Sequence, residues 1–208
     1  SGHMVDNLIH QIDECCWLMD DWPVSCHAMG GREVGSDDRG QNLDIYSMEY
    51  TFPNGKKAFC GFRRALRGHS DFATFVHGSE RAAQFSGNVH KATVHIFKDH
   101  RIDKSNISWS PAEDAHPPWD YEWMRFIESI RNDRPHNEAK RAVYADYASL
   151  MGRAAAHTNQ IVTWEDVTQS QFAFCEAPEA LDFDSPPPVQ ANEEGFFPPP
   201  HAGLWKEL

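Results

Sequence analysis

Two side chains that could move a proton stand four positions apart near the start of the chain, Asp6 and His10, in the stretch VDNLIHQIDECCWLM. On a helix, positions i and i+4 share a face, so this carboxylate and imidazole fall within reach of each other, with Asp13 one turn further along. An aspartate beside a histidine raises its basicity and fixes which ring nitrogen is free, as a general acid-base requires near neutral pH. The spacing supplies a mechanism without a reaction, and it suits a solvated surface pair equally well. The catalytic reading leans on both groups projecting together into a hollow between the first helix and the strands that follow. His10 and Glu14 are also i, i+4, but a metal centre would need further ligands from His27, His69, His77, His90 or His95, and no metal is assigned.

The elements that would hold this pair can be read from periodicity. Val5, Leu8, Ile9, Ile12, Cys16 and Met19 recur at spacings of three and four, which predicts a helix ended by Asp-Asp-Trp-Pro at 20–23. PVSCHAMGG then predicts a strand, and the runs on either side of Pro53-Asn54-Gly55 predict a hairpin, because Asn-Gly suits the positive dihedrals of a tight turn. A second pair, DFATFVHG and RAAQFSG, turns around Ser79-Glu80, and ATVHIFK adds a strand, for an antiparallel sheet of at least five strands. After Pro117-Pro118 a helix is expected with Trp123, Phe126, Ile127 and Ile130 on one face, stopped by Asn132 to Pro135. Asn137 then caps a long helix reaching about His157, whose Ala142, Ala145, Ala148, Gly152 and Ala155 permit close packing. Thr163 to Asp166 has the pattern of a capping box.

Beyond Ser170 lie seven of the thirteen prolines, which exclude regular helix or sheet there. An extended arm packed through Phe196, Phe197 and Trp205 is expected. The order of elements argues for an α+β fold: an open, mostly antiparallel β-sheet with helices packed on one face, plus a Pro-rich extended C-terminal arm. Residues 1–4, Ser-Gly-His-Met, read as the remnant of a cleaved purification tag, 5–170 as one α+β domain and 171–208 as the tail.

Composition narrows the partners. The 208 residues carry 19 Lys plus Arg against 31 Asp plus Glu, a formal charge of −12, which repels phosphate backbones and anionic lipid surfaces. Neither nucleic acid nor membrane is expected as a partner. No apolar run approaches the roughly 18 residues of a spanning helix, so a soluble, cytoplasmic protein is expected, with export of a longer parent left open. The five cysteines form no C-x-x-C pair and read as small apolar fillers. The GGREVG at 30–35 is superficially like a dinucleotide fingerprint, but Arg32 stands where its second glycine belongs and no helix pattern follows, so it receives no cofactor role.

DNLIHQID, WLM, GGR and FPNG, together with FIESIRNDRPHNEAKRAVYADYASLMGRAAAHTNQIVTW, resemble the second half of the Gfo/Idh/MocA family of NAD(P)-dependent oxidoreductases over roughly Val5 to Ser170. In that family a Rossmann domain binds the nicotinamide and a C-terminal α+β domain carries the substrate pocket and builds the oligomer. The resemblance implies that D-x-x-x-H transfers onto Asp6 and His10. His10 would take the proton from a sugar or cyclitol hydroxyl as hydride leaves the same carbon, and Asp6 would orient His10 or the substrate. It also makes Arg32, Asp44, Arg64 and His157, which lie at or beside family-like motifs, candidate substrate-binding residues.

The resemblance accounts for the early position of the pair, because the family's Rossmann half and its usual Glu-Lys-Pro lysine are not in this sequence. NAD or NADP is implied for the parent, with none expected on this chain, which alone would be inactive. The family's AAYTG appears as Ala155-Ala156-His157-Thr158-Asn159, so the role of that tyrosine does not carry over. A sheet covered on one face leaves the other to be buried, and a homo-oligomer through that open face is expected. Two alternatives stand beside the dehydrogenase reading: a standalone, non-catalytic oligomerisation or carbohydrate-binding module, and an NAD-dependent glycoside hydrolase of the same family.

Overall fold

The computed structural model describes residues 4–33, 40–64, 68–85, 93–113 and 116–208. They form two compact units, one from residues 1–66 with 143–208 and the other from 67–142.

The first unit holds the main hydrophobic core. It opens with a single π turn, Met4–Leu8, that runs into helix α1, Ile9–Met19. The predicted apolar stripe is the buried one: Met4, Val5, Leu8, Ile12 and Cys16 all face the core. Met4, which reads in sequence as part of a tag remnant, is only 2% exposed and packs with them. Asp20 ends α1 in the left-handed region at φ 52°, with its N–H returned to the last turn, and Trp22-Pro23 lead away from it.

Strands β1 (Ser25–Gly31), β2 (Ile45–Thr51) and β3 (Lys57–Arg63) form an antiparallel meander. Gly55, at φ 78°, makes the Asn-Gly hairpin turn between β2 and β3. Alternation divides the strands cleanly. Cys26, Ala28, Tyr46, Met48, Tyr50, Ala58 and Cys60 point inward, while Met29, Ile45 and Phe59 are exposed on the other face.

Helix α3, Ala139–Thr158, covers the inner face from Ala145 onward. Its N–H at Ala139 is received by the Asn137 side chain at 2.9 Å, the expected cap. The small residues explain the closeness of approach, since a Cβ on Gly152 would lie 2.1 Å from the Tyr50 hydroxyl and 2.6 Å from Met48 Sδ. Asn159, left-handed at φ 57°, closes the helix. A two-residue strand, β8 (Val162–Thr163), then adds to the free edge of β1, and the capping box of Thr163 and Asp166 starts α4, Trp164–Gln169.

The second unit contains four short antiparallel strands in sequence order, β4 (Thr74–His77), β5 (Ala82–Phe85), β6 (His95–Phe97) and β7 (Ile107–Trp109), and helix α2, Pro118–Arg131. Where the sequence suggests one antiparallel sheet of at least five strands, the strands among the described residues pair as two sheets of four, β3-β2-β1-β8 and β4-β5-β6-β7. Turn chemistry identifies which strands are hairpin neighbours, but not which sheet edges meet, and that distinction separates the two. Helix α2 has the predicted aromatic and aliphatic face, yet none of its residues is buried.

The tail contains one 3-10 turn, Pro178–Ala180, and no longer element. Phe196, Phe197 and Trp205 are half-buried as expected of anchors, but the deepest contact of the arm is Glu207, 5% exposed.

Candidate functional site

Asp6 lies on the π turn and His10 in the first turn of α1, so the pair straddles a π-to-α junction, a feature common at functional sites. Both are exposed. The side of this segment that faces the strands carries Met4, Val5, Leu8 and Ile12, so the two groups do not project into a hollow between helix and sheet. They stand on the outer surface of the first unit.

Three other sequence candidates gather at one end of the first sheet, where Gly31, Ile45 and Arg63 are aligned across β1, β2 and β3. Asp44, 6% exposed, precedes β2; its N–H donates to Gly31 O at 3.0 Å and its Oδ2 accepts the Glu33 N–H at 3.1 Å. Arg64 N–H donates to Asp44 O at 2.8 Å, and Arg32 Nε donates to Asn42 O at 3.0 Å. Asp44 and Arg32 thus tie down the loops at this end, while the Arg64 side chain is exposed.

His157, the fourth, is 1% exposed and sits in a buried polar cluster. Its Nε2 is 2.8 Å from the Tyr46 hydroxyl on β2, and its Nδ1 is 2.7 Å from Glu207 Oε2 in the tail. Arg153, one turn earlier on α3, reaches Glu207 Oε1 with Nη1 at 2.7 Å, and the Trp205 indole N–H donates to Oε2 at 2.8 Å. The Arg153 guanidinium also lies over the Phe174 ring, 5.0 Å from its centroid.

Charge states follow from these contacts. Burial works against ionisation of Glu207, but the hydrogen bond from His157, the charges of His157 and Arg153 and the Trp205 N–H together hold its carboxyl below the ordinary glutamate range. The ionised carboxylate only accepts, so His157 Nδ1 carries the proton between them. Burial pushes the Tyr46 phenol up to about 12 against the opposing charge of Arg153, so it stays protonated at neutral pH; Glu207 and Asp44 add to the rise. Asp44 is therefore within electrostatic reach of the cluster that holds His157.

Tyr46, Arg153 and Glu207 are the residues that sequence reasoning missed. The i, i+4 spacing of Arg153 and His157 was a usable signal; Glu207, fifty residues beyond His157, had none.

Gly30 and Gly31, at the end of β1, pair with Tyr46 and Ile45 of the antiparallel strand β2, and residues 34–39 beyond them lie outside the described residues. A Cβ on Gly30 would meet Leu43 Cδ1 at 2.9 Å, Ile45 O at 3.1 Å and Ala156 Cβ at 3.3 Å, so this glycine serves strand and helix packing. Among the described residues no three His, Cys, Asp or Glu side chains are placed to hold a metal ion; His90 lies outside them. No helix among them is long and apolar enough to cross a membrane.

Comparison with known proteins agrees with this architecture. Residues 1–84 match the family model of the GFO/IDH/MocA C-terminal domain. No curated protein matches the chain. Among solved structures, an aldose-aldose oxidoreductase from Caulobacter crescentus, complexed with glycerol, superposes with a TM-score of 0.61 at 15% identity, over 74% of this chain and 45% of that one. A scyllo-inositol dehydrogenase from Lactobacillus casei, with NAD(H) and scyllo-inositol bound, gives 0.57 at 20% identity, over 79% and 49%. The UDP-N-acetylglucosamine 3-dehydrogenase GnnA from Acidithiobacillus ferrooxidans gives 0.55 at 22% identity, over 71% and 45%. The chain thus spans a little under half the length of each. Residues 1–84 are thus similar to a GFO/IDH/MocA C-terminal domain, and about three-quarters of the chain shares its fold with a little under half of each of these oxidoreductases.

Proposed function

We propose that this chain is the substrate-binding half of an NAD(P)-dependent oxidoreductase acting on a sugar or cyclitol, and that it supplies the proton-transfer pair Asp6 and His10. The observation that carries this reading is that the D-x-x-x-H pair falls inside the segment that matches the family model, at an exposed π-to-α junction. The pair is exposed and does not face the space between helix and strands on which the sequence reading leaned, so in this proposal a second domain supplies the other wall of the pocket. The nicotinamide would accept the hydride and, as the family resemblance implies, would be held by a separate cofactor domain.

In this scheme His10 takes the hydroxyl proton from the carbon being oxidised and Asp6 positions the imidazole. Arg32, Asp44 and Arg64 form the rim at the end of the sheet. His157 is buried behind Tyr46, so it would act on a substrate only through a neighbouring group or after displacement of the arm. The exposed sheet face, with Met29, Ile45 and Phe59, would join a second copy of the chain.

The test is nicotinamide reduction by the full-length protein with a panel of sugars and cyclitols. Substrate-dependent absorbance at the reduced-nicotinamide wavelength is expected. Saturable binding of the same sugars without any turnover would favour a standalone binding module, and glycoside cleavage without net reduction would favour the hydrolytic reading.

A further inference from the structure

Cys15 and Cys60 meet where α1 packs against β3, the outermost strand of the sheet β3-β2-β1-β8. Cys60 is 8% exposed and points into the core, while its neighbour Phe59 faces out; its register partner on β2 is the buried Met48. Cys15 stands on the flank of the stripe that buries Ile12 and Cys16, and is only partly buried. The two thiols are hydrogen-bonded to each other and both are free. Thiols already in contact on two packed elements need only side-chain rotation to join.

The contact is unequal, and the inequality divides the roles. The hydrogen bond lowers the Cys15 thiol, against burial and the Glu14 charge, and it raises Cys60, with burial adding to the rise. Cys60 is therefore the donor, and Cys15 is the group that more readily becomes a thiolate. A thiolate open to solvent is the form that peroxides oxidise, and a second thiol beside it resolves the product. Cys16 and Cys26, 2% and 1% exposed, lack that access and fit the sequence reading of small apolar fillers. Cys175, partly exposed like Cys15, provides an internal control.

We propose that Cys15 and Cys60 form a peroxide-reactive pair that closes to an intramolecular disulfide. The Cys15 thiolate attacks one oxygen of hydrogen peroxide, the O–O bond breaks, and Cys15 becomes a sulfenic acid while the departing oxygen takes a proton and leaves as water. The Cys60 sulfur then attacks the Cys15 sulfur, the S–O bond breaks, and hydroxide leaves with the Cys60 proton as a second water. Two thiols lose two electrons in all, and one peroxide is reduced to two waters. The new bond ties α1, which carries His10, to β3, and it forms whether or not His10 performs chemistry.

Peptide mapping tests it. The reduced full chain is treated with a slight molar excess of hydrogen peroxide at neutral pH, alkylated with iodoacetamide in denaturant, and mapped without reduction, with fragment ions assigning each cysteine. The expected product is a Cys15–Cys60 cross-link, two hydrogens lighter than its separate peptides and released by dithiothreitol, with Cys175 alkylated. In Cys60→Ala, dimedone should instead trap a sulfenic acid on Cys15; should that variant not fold, the map of the unmodified chain decides alone. A disulfide joining Cys15 to any other cysteine, Cys15 found only as sulfinic acid, or Cys15 and Cys60 both recovered alkylated would overturn the proposal.

Discussion

His157 Nδ1 and Glu207 Oε2 lie 2.7 Å apart, although fifty residues of chain separate them, and this contact fastens the C-terminal arm to the last turn of α3. Both residues are almost wholly buried, so removal of the negative charge leaves Arg153 without its counter-ion in a low-dielectric site. Glu207→Gln is expected to cost on the order of 3 kcal/mol of stability, read from urea unfolding. The pH dependence has a definite sign. Because the folded-state pKa of Glu207 lies below its unfolded value of about 4.3, the stabilisation is complete above that value and is lost as pH falls through the folded pKa. The wild type should accordingly lose stability over Glu207→Gln in acid, and the two unfolding free energies should converge there.

Gly152 is expected to tolerate no side chain. Alanine has the better helix propensity by about 1 kcal/mol, but its Cβ would overlap the Tyr50 hydroxyl, which donates to Ala148 O at 2.9 Å from a buried strand position. Overpacking of this kind costs roughly 1–3 kcal/mol or more. A Gly152→Ala variant with unchanged or raised thermal midpoint would contradict the packing of α3 on β2.

The cysteines differ in reactivity for structural reasons. A hydrogen bond with Cys60 lowers the Cys15 thiol, against burial and the nearby Glu14 charge, whereas the same contact and burial push Cys60 up. Burial pushes Cys26 up to about 12. Of these three, Cys15 should be labelled first by iodoacetamide at neutral pH in the folded protein, followed by peptide mass mapping, and Cys26 and Cys60 should react only on unfolding.

His10 carries the proposed chemistry. In the full-length protein His10→Ala should lower turnover by about 10²–10⁴-fold, the usual contribution of a positioned base, with the folded structure intact because the side chain is exposed. Turnover near that of the wild type would remove His10 from the mechanism.

The open face of the first sheet carries Phe59 at 76% exposure and Met29 at 66%. Met29→Lys combined with Phe59→Lys should lower the mass seen by light scattering if this face joins two copies, without loss of secondary structure by circular dichroism. An unchanged oligomer would place the interface elsewhere.

Local physics made much of the architecture legible in the sequence. The apolar spacing of α1, the Asn-Gly turn at Gly55, the Asn137 cap of α3 and the Thr163–Asp166 capping box each depend on residues within a few positions of one another, and all are present in the structure. The presence of Asp6 and His10 on one helical segment was legible for the same reason. Their outward placement was not, because which side of a helix is left open depends on where the sheet packs. The two-sheet arrangement, the unburied face of α2 and the union of Tyr46, Arg153, His157 and Glu207 were likewise set by tertiary structure. Periodicity reports which faces are apolar; only the folded chain decides which faces meet and which distant charge is carried into the space between them.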